Sequence, residues 1–183
     1  MEEYMKKFEG IENFYRELPK FRKLLNIDKL AERVKQRDEI IVLTNELDWR
    51  LPESTQKNAF AKLKNIPYED YDLLILACNI YSWPNVVKLI KEAGCKNNEK
   101  ALPSLIMLLR DLNWPGAVEG MSVLKEADRS VLIPIVEVAI EEAFNTKDGN
   151  WLAWIKEFLE FADIHKSDFT SGDVYDLLKH ADW

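Results

Sequence analysis

The sequence predicts an all-α protein built from stacked antiparallel pairs of helices. Five of its six tryptophans, all but Trp154, recur with steps of 34, 31, 37 and 32 residues, at Trp49, Trp83, Trp114, Trp151 and Trp183. Periods of this size are typical of repeats that contain two helices each. No strand-like alternation of apolar and polar residues persists along the chain, and no linker divides it. We therefore expect one domain over residues 1–183, with helix-pair repeats over residues 41–183.

The residues around the tryptophans predict a tight corner between the two helices of each pair. Two of the tryptophans are followed directly by proline, at Pro84 and Pro115. Proline disfavours the helical conformation in the residue before it, yet it is well tolerated in the first turn of a helix. We therefore expect each proline to end one helix and to begin the next. We also expect four corner tryptophans to be buried between helices. These are Trp49, Trp83, Trp114 and Trp151.

The segment before the first pair has a different composition. Residues 11–37 are amphipathic, and seven basic residues between Lys20 and Arg37 outnumber the two acidic ones in that interval. Repeat proteins need terminal segments that cover the apolar side of an end repeat. Residues 1–40 are therefore predicted to form N-terminal capping helices.

Two stretches predict the helices on either side of Trp83. Residues 68–81, YEDYDLLILACNIY, are apolar on nearly all sides and predict one continuous buried helix. Residues 85–93, NVVKLIKEA, place valine, leucine and isoleucine on one side and charges on the other. This pattern predicts an amphipathic second helix that ends at Gly94, since glycine is favoured just after a helix.

The later stretches repeat this alternation of buried and amphipathic helices. PSLIMLLRDL and SVLIPIVEVAIEEAF predict buried first helices, with Pro134 near the start of the latter, where proline is tolerated. LAWIKEFLEFA predicts a second helix with inward side chains at Trp154, Ile155, Phe158, Leu159 and Phe161. The final stretch begins with three residues able to cap a helix, Thr170, Ser171 and Asp173.

The chain resembles a bacterial domain-of-unknown-function family of HEAT-like helical repeats in four stretches: DWRLPESTQKNA, KNNEKALPSLIMLLRDLNWPGA, VLIPIVEVAI and WLAWIKEFLE. The resemblance covers about Asp48 to Ala162 and rests mainly on the sequence Asn113-Trp114-Pro115. It implies a small HEAT-like α-solenoid and brings no catalytic residues. By analogy with other such domains, it also points to adaptors and to the immunity proteins found beside bacterial toxins.

Negative charge is concentrated in the last quarter of the chain. Residues 1–136 contain 21 acidic and 21 basic residues, whereas residues 137–183 contain 11 acidic and 4 basic ones. An acidic surface repels phosphate backbones and attracts basic surfaces. We therefore expect a partner protein with a basic surface patch, and we do not expect nucleic acid. The alternative is that these charges only keep the protein soluble.

Seven glutamates on the later helices are the candidate partner-binding residues. They are Glu119, Glu126, Glu137, Glu141, Glu142, Glu157 and Glu160. In a solenoid one layer of helices lines a concave surface, so carboxylates on second helices are expected to align across neighbouring repeats. For the glutamates of residues 137–142 the simpler interpretation is a solvated helix face.

The sequence contains no pattern typical of catalysis or of cofactor binding. Phosphate-binding glycine loops, dinucleotide fingerprints and zinc-ligand spacings are absent. His165, His180, Cys78 and Cys95 are too widely separated to predict a metal site. We therefore expect no metal, no cofactor and no enzymatic activity. The charged N-terminus and the lack of a long apolar run predict a cytoplasmic protein without a leader or a membrane contact.

Three functional hypotheses follow from these observations. The first is a non-catalytic protein-binding module, and within it an immunity-type inhibitor that covers the basic cleft of a toxin. The second is a HEAT-like DNA-binding protein or alkyl-base DNA glycosylase, which would need a basic concave face. The third is a structural adaptor. For each we expect a monomer or a weak dimer.

Overall fold

A computed structural model of the chain describes residues 18–26, 29, 32–33, 36–76, 78–94 and 99–182. These residues form helices and contain no strand, so the predicted all-α class is confirmed. The α-helices are α1 Pro19–Leu25, α2 Asp38–Glu46, α3 Glu53–Leu63, α4 Leu73–Leu76, α5 Trp83–Ala93, α6 Leu102–Leu108, α7 Ala117–Lys125, α8 Arg129–Asn145, α9 Gly149–Phe161 and α10 Gly172–Asp176. Short 3-10 helices occupy Tyr68–Asp70, Ile80–Ser82, Glu99–Ala101, Lys166–Asp168 and Leu177–His180. Among the described helices, none has the length and apolar character needed to cross a bilayer.

Consecutive helices from α2 onward pack in pairs: α2 on α3, α4 on α5, α6 on α7 and α8 on α9. The first helices also contact one another in chain order, α2 with α4, α4 with α6 and α6 with α8. Among the second helices, α3 contacts α5, and α5 contacts α7. Their buried apolar side chains form a continuous core.

A repeated side-chain turn shapes three of the corners. In each, an Asp or Asn oxygen accepts a hydrogen bond from the backbone N–H two residues later, at 2.9 Å; the acceptors are Asp48, Asn79 and Asp111. Short polar side chains stabilise such turns because they replace a backbone acceptor. These acceptors are separated by 31 and 32 residues, but they lie one, four and three residues before Trp49, Trp83 and Trp114, so the corners share this turn without being identical.

The two corner prolines occupy different positions. Pro84 lies in the first turn of α5, as predicted, but it does not end the preceding α-helix, because α4 ends at Leu76 and a 3-10 turn at Ile80–Ser82 comes before α5. Pro115 lies before α7, which begins at Ala117, and the preceding α6 has already ended at Leu108. The prediction that Pro115 begins the next helix is therefore wrong, because a longer turn separates α6 from α7.

Gly116 explains why this turn approaches the neighbouring corner so closely. Its φ of 82° is favourable only for glycine. A Cβ at Gly116 would lie 3.2 Å from backbone atoms of Trp83 and Pro84. The rings of Trp83 and Trp114 are also in contact, with centroids 5.6 Å apart. The Asn-Trp-Pro-Gly sequence therefore packs the corner before α7 against the corner before α5.

Replacing Gly116 by alanine should lower the free energy of unfolding by about 1–3 kcal/mol, because the new Cβ adds backbone strain and a close contact. Urea unfolding followed by circular dichroism measures this change. Gly120→Ala is the matched control, since its Cβ would meet only leucine side chains at 3.5 Å and 3.6 Å. Equal stability of the two variants would contradict the close packing of the corners.

The corner tryptophans differ in burial. Trp151 is 0% exposed, Trp83 and Trp114 are half-buried, and Trp49 is 55% exposed. The prediction that all four are buried is wrong for Trp49 and only partly correct for Trp83 and Trp114. A corner tryptophan is covered by residues from other segments, and Trp49 packs edge-on against Tyr81 with most of its ring in solvent.

The segment predicted as one helix over residues 68–81 is interrupted. Of its described residues, which omit position 77, only Leu73–Leu76 is α-helical, between 3-10 turns at Tyr68–Asp70 and Ile80–Ser82. The side chain of Asn45 accepts a hydrogen bond from the backbone N–H of Asn79 at 3.1 Å. This bond gives that N–H a partner outside the helix and favours the turn.

Three further helix predictions have mixed outcomes. Gly94 follows the end of α5 with φ 79°, as predicted. Pro134 is the sixth residue of α8 rather than near its start, and it is tolerated on the exposed side of the helix. On α9 the predicted inward residues are buried or half-buried except Phe161, which is 44% exposed at the last position of the helix.

Helix α1 packs on α8 and α6, the first helices of the two later pairs. The prediction that residues 1–40 form N-terminal capping helices stays a prediction, and within it α1 covers the later pairs. Much of the predicted cap, including residues 1–17, lies outside the described residues.

Candidate functional site

Glu142, one of the predicted partner-binding residues, is buried between α8 and α1. Its Oε2 accepts hydrogen bonds from the backbone N–H groups of Lys20 at 2.7 Å and Phe21 at 3.1 Å. Helix α1 begins with Pro19, which has no N–H, and its N-cap residue supplies no side-chain hydrogen bond. The Glu142 carboxylate therefore satisfies the free N–H groups at the start of α1 from a distant helix.

The other two glutamates of α8 also make internal contacts. Glu141 forms an ion pair with the ammonium group of Lys20. Glu137 Oε1 accepts hydrogen bonds from the backbone N–H groups of Thr170 at 2.7 Å and Ser171 at 3.0 Å. Ser171 is the N-cap residue of α10, but its side chain makes no capping hydrogen bond.

These contacts change the interpretation of the α8 glutamates. At 1% exposure, Glu142 is inaccessible to a partner, so its prediction as a partner-binding residue is wrong. Glu137 and Glu141 are partly exposed but hold α10 and α1 in place. Helical periodicity does not reveal these contacts, because each glutamate and the N–H groups that it accepts from are more than 30 residues apart in sequence.

The remaining four candidates lie on the second helices of the last two pairs and are exposed. Glu119 is on α7, Glu126 follows its last residue, and Glu157 and Glu160 are on α9. The Lys125 ammonium donates a hydrogen bond to the carbonyl oxygen of Phe161 at 2.8 Å. This bond joins the C-terminal ends of α7 and α9.

Two exposed apolar side chains lie on the same helices as these glutamates. Val118 of α7 is 59% exposed and Phe161 of α9 is 44% exposed. At 1.5 Å of rise per residue, Val118 lies about 10 Å along α7 from Lys125, which contacts the Phe161 ring. We call the set Val118, Glu119, Glu157, Glu160 and Phe161 the α7–α9 surface.

The charge of the second helices differs along the chain. Helices α3 and α5 contain four lysines and two glutamates, whereas α7 and α9 contain two lysines and three glutamates. The charge of these helices therefore sums to +2 in the first two pairs and to −1 in the last two, where α7 is neutral and α9 carries the excess carboxylate.

Two arginines of the basic stretch between Lys20 and Arg37 make internal ion pairs. Arg33 pairs with Asp70 at 2.9 Å and with Asp72 at 2.6 Å, and Arg37 pairs with Asp70 at 2.9 Å. The Asp70 carboxylate is buried. These arginines thus neutralise the buried Asp70 and the half-buried Asp72, and attach this stretch to the segment before α4.

Trp49 belongs to an exposed cluster that the sequence interpretation missed. The Arg50 guanidinium carbon lies 3.4 Å from the centroid of the Tyr81 ring, and Trp49 contacts the same ring at 6.1 Å. Hydrogen bonds from Arg50 lower the pKa of Asp48 and fix the guanidinium. We call the partly exposed residues Trp49, Arg50, Leu51, Ile80 and Tyr81 the aromatic corner.

The two histidines and Cys78 each have separate neighbours. Cys78 Sγ donates to the carbonyl oxygen of Ile75 at 3.5 Å, His165 pairs with Asp163, and His180 contacts Phe144. Within the described residues, no group of three His, Cys, Asp or Glu side chains is arranged to hold a metal ion. Cys95 lies outside those residues. The expected lack of a metal and of a cofactor stays a prediction.

Comparison with known proteins found no matching family model, no matching curated protein and no matching solved structure. The resemblance to HEAT-like repeats therefore stays a prediction.

Proposed function

We propose that the chain is a non-catalytic protein-binding module, built as a short HEAT-like α-solenoid, that binds a basic surface of a partner protein. The order of helix contacts supports the architecture, because first helices contact first helices and most second helices contact second helices. This is the contact pattern of stacked repeats, in which each pair packs mainly on its neighbours.

The α7–α9 surface carries the functional proposal. It combines exposed carboxylates at Glu119, Glu157 and Glu160 with exposed apolar side chains at Val118 and Phe161. Apolar contacts at the centre of an interface supply affinity, while surrounding charges speed association with a partner of opposite charge. A basic protein surface with an apolar centre is complementary to this arrangement.

Within this proposal, an immunity-type inhibitor of a toxin with a basic cleft is the first candidate, and an adaptor is the second. The adaptor is supported by the reversal of charge along the second helices, which provides two surfaces for different partners. A DNA-binding role receives less support, because Arg33 and Arg37 already pair with Asp70 and Asp72.

Charge reversal on the α7–α9 surface tests the proposed function. The variant carries Glu119→Lys, Glu157→Lys and Glu160→Lys, and each substitution adds two units to the formal net charge of −7, which becomes −1. Wild-type and variant protein serve as baits in extract of the cells that produce the chain, and captured proteins are quantified by mass spectrometry. We expect a protein with a basic surface to be captured by the wild type and reduced at least about tenfold by the variant.

A second triple variant, with Glu32→Lys, Glu39→Lys and Glu69→Lys, has the same net charge and alters exposed positions elsewhere. It should capture the partner as the wild type does. Equal loss of captured partner in both variants would mean that only the total charge matters. Undiminished capture by both variants would contradict binding through the α7–α9 surface.

A further inference from the structure

A groove with a volume of about 340 Å³ lies between α3 and α5, away from the α7–α9 surface. Its charged lining consists of Lys57, Lys64 and Lys88 with one carboxylate, Glu53. The floor includes the Phe60 ring, and the ammonium groups of Lys64 and Lys88 lie 5.2 Å and 5.7 Å from its centroid. Cations near an aromatic face are attracted to it, so these lysines are held beside the groove.

The groove has an excess of positive charge. Lys57 pairs with Glu53 at 2.7 Å, and Lys64 pairs with Glu92 at 2.6 Å. In the described part of the chain, no salt bridge involves Lys88. The two pairs are exposed and can exchange partners, since surface ion pairs contribute little free energy. Added carboxylates can therefore bind all three lysines.

Hydrogen bonds fix the wall of the groove nearest the aromatic corner. Asn85 Nδ2 donates to the Leu47 carbonyl oxygen at 2.8 Å and to Gln56 Oε1 at 2.9 Å. Gln56 Nε2 donates in turn to the Leu51 carbonyl oxygen at 2.7 Å. Because Leu51 belongs to the aromatic corner, the groove and the corner form one continuous, ordered surface.

The aromatic corner supplies an apolar anchor at the end of the groove. Tryptophan, tyrosine and arginine dominate the residues that contribute most to protein interfaces. Here Trp49, Arg50 and Tyr81 are held by mutual ring and cation contacts, so they need little reordering on binding.

We propose that the α3–α5 groove and the aromatic corner bind an acidic, extended segment of a protein, with an apolar side chain of that segment against Trp49 and Tyr81. The groove is long enough for such a segment. The eleven residues of α3 rise about 16 Å, which is the length of about five residues of extended chain. This second site has the opposite charge to the α7–α9 surface and does not depend on it.

The test uses a short fluorescein-labelled peptide that contains several glutamates and two leucines, with fluorescence anisotropy as the readout. We expect it to bind the wild-type chain, and we expect its counterpart with glutamine at every glutamate to bind far more weakly. Lys57→Glu with Lys88→Glu should weaken binding at least about tenfold, because each reversal replaces an attraction by a repulsion. Trp49→Ala should also weaken binding, with the helical content unchanged because the ring is largely exposed.

The matched control reverses Lys62 and Lys91, which lie on the same two helices but do not line the groove. This control should retain binding to within about threefold, since exposed charges away from the contact are screened. Equal weakening by the two double variants, or no binding of the glutamate peptide to the wild type, would overturn the proposal. Tighter binding of a single-stranded oligonucleotide of equal charge would also overturn it, in favour of a nucleic-acid site.

Discussion

Replacing Trp151 by alanine should lower the free energy of unfolding by about 3–5 kcal/mol, the largest effect that we expect from one substitution. The side chain is 0% exposed, and its ring packs against Phe21 of α1 with centroids 5.7 Å apart. The Arg110 guanidinium lies 5.3 Å from the same ring. The substitution therefore leaves a cavity where α9, α1 and the segment after α6 meet. Urea unfolding followed by circular dichroism measures the change without relying on tryptophan fluorescence.

Trp49→Ala is the matched control for this prediction, because it removes the same side chain from an exposed position. With 55% of Trp49 exposed, its loss should cost less than about 1 kcal/mol. A cost below about 1 kcal/mol for Trp151→Ala as well would show that the last corner is not part of the core.

Replacing Glu142 by alanine should cost about 3 kcal/mol, because two N–H groups at the start of α1 lose a buried, charged acceptor. The effect should be localised. Hydrogen exchange of the Lys20 and Phe21 amides should accelerate more than exchange within α5. Glu142→Gln keeps an acceptor oxygen and should have a smaller effect on both measurements.

The neighbouring Glu141→Ala variant is the control for Glu142→Ala. Its ion pair with Lys20 is partly exposed, so its loss should cost less than about 1 kcal/mol and leave amide exchange in α1 nearly unchanged. If the two alanine variants had the same stability and the same exchange, Glu142 would not hold α1 on α8.

Local chemistry made several elements predictable. The amphipathic pattern of residues 85–93 places valine, leucine and isoleucine in the core of α5, and proline tolerance and glycine capping place Pro84 and Gly94 at its two ends. These features depend on the residue itself and its nearest neighbours in sequence. The prediction for Pro115 was wrong because the next residue, Gly116, packs against Trp83 and Pro84 of another corner, a contact that the local sequence does not reveal.

The candidate site was less predictable than the fold, for a related reason. The concentration of glutamates was visible in the sequence. Glu142 and Glu119 are the same residue type, however, and the first is buried whereas the second is exposed. Only the position of α1 determines that Glu142 is buried. Likewise, the Trp49 corner resembles the Trp151 corner in sequence, yet a ring from α1 covers only the latter. The periodicity of a helix in the sequence does not show which of its residues a distant segment covers.

Site-specific photo-cross-linking in the cells that produce the chain tests the central claim, protein binding through the α7–α9 surface, most directly. A photoreactive phenylalanine analogue replaces Phe161, 44% exposed on that surface, or Val42, 40% exposed on α2. Both positions offer an exposed apolar side chain, so they differ mainly in location. We predict a cross-link from position 161 to a protein with a basic surface and none from position 42. A protein cross-linked from position 42 but not from position 161 would contradict the account.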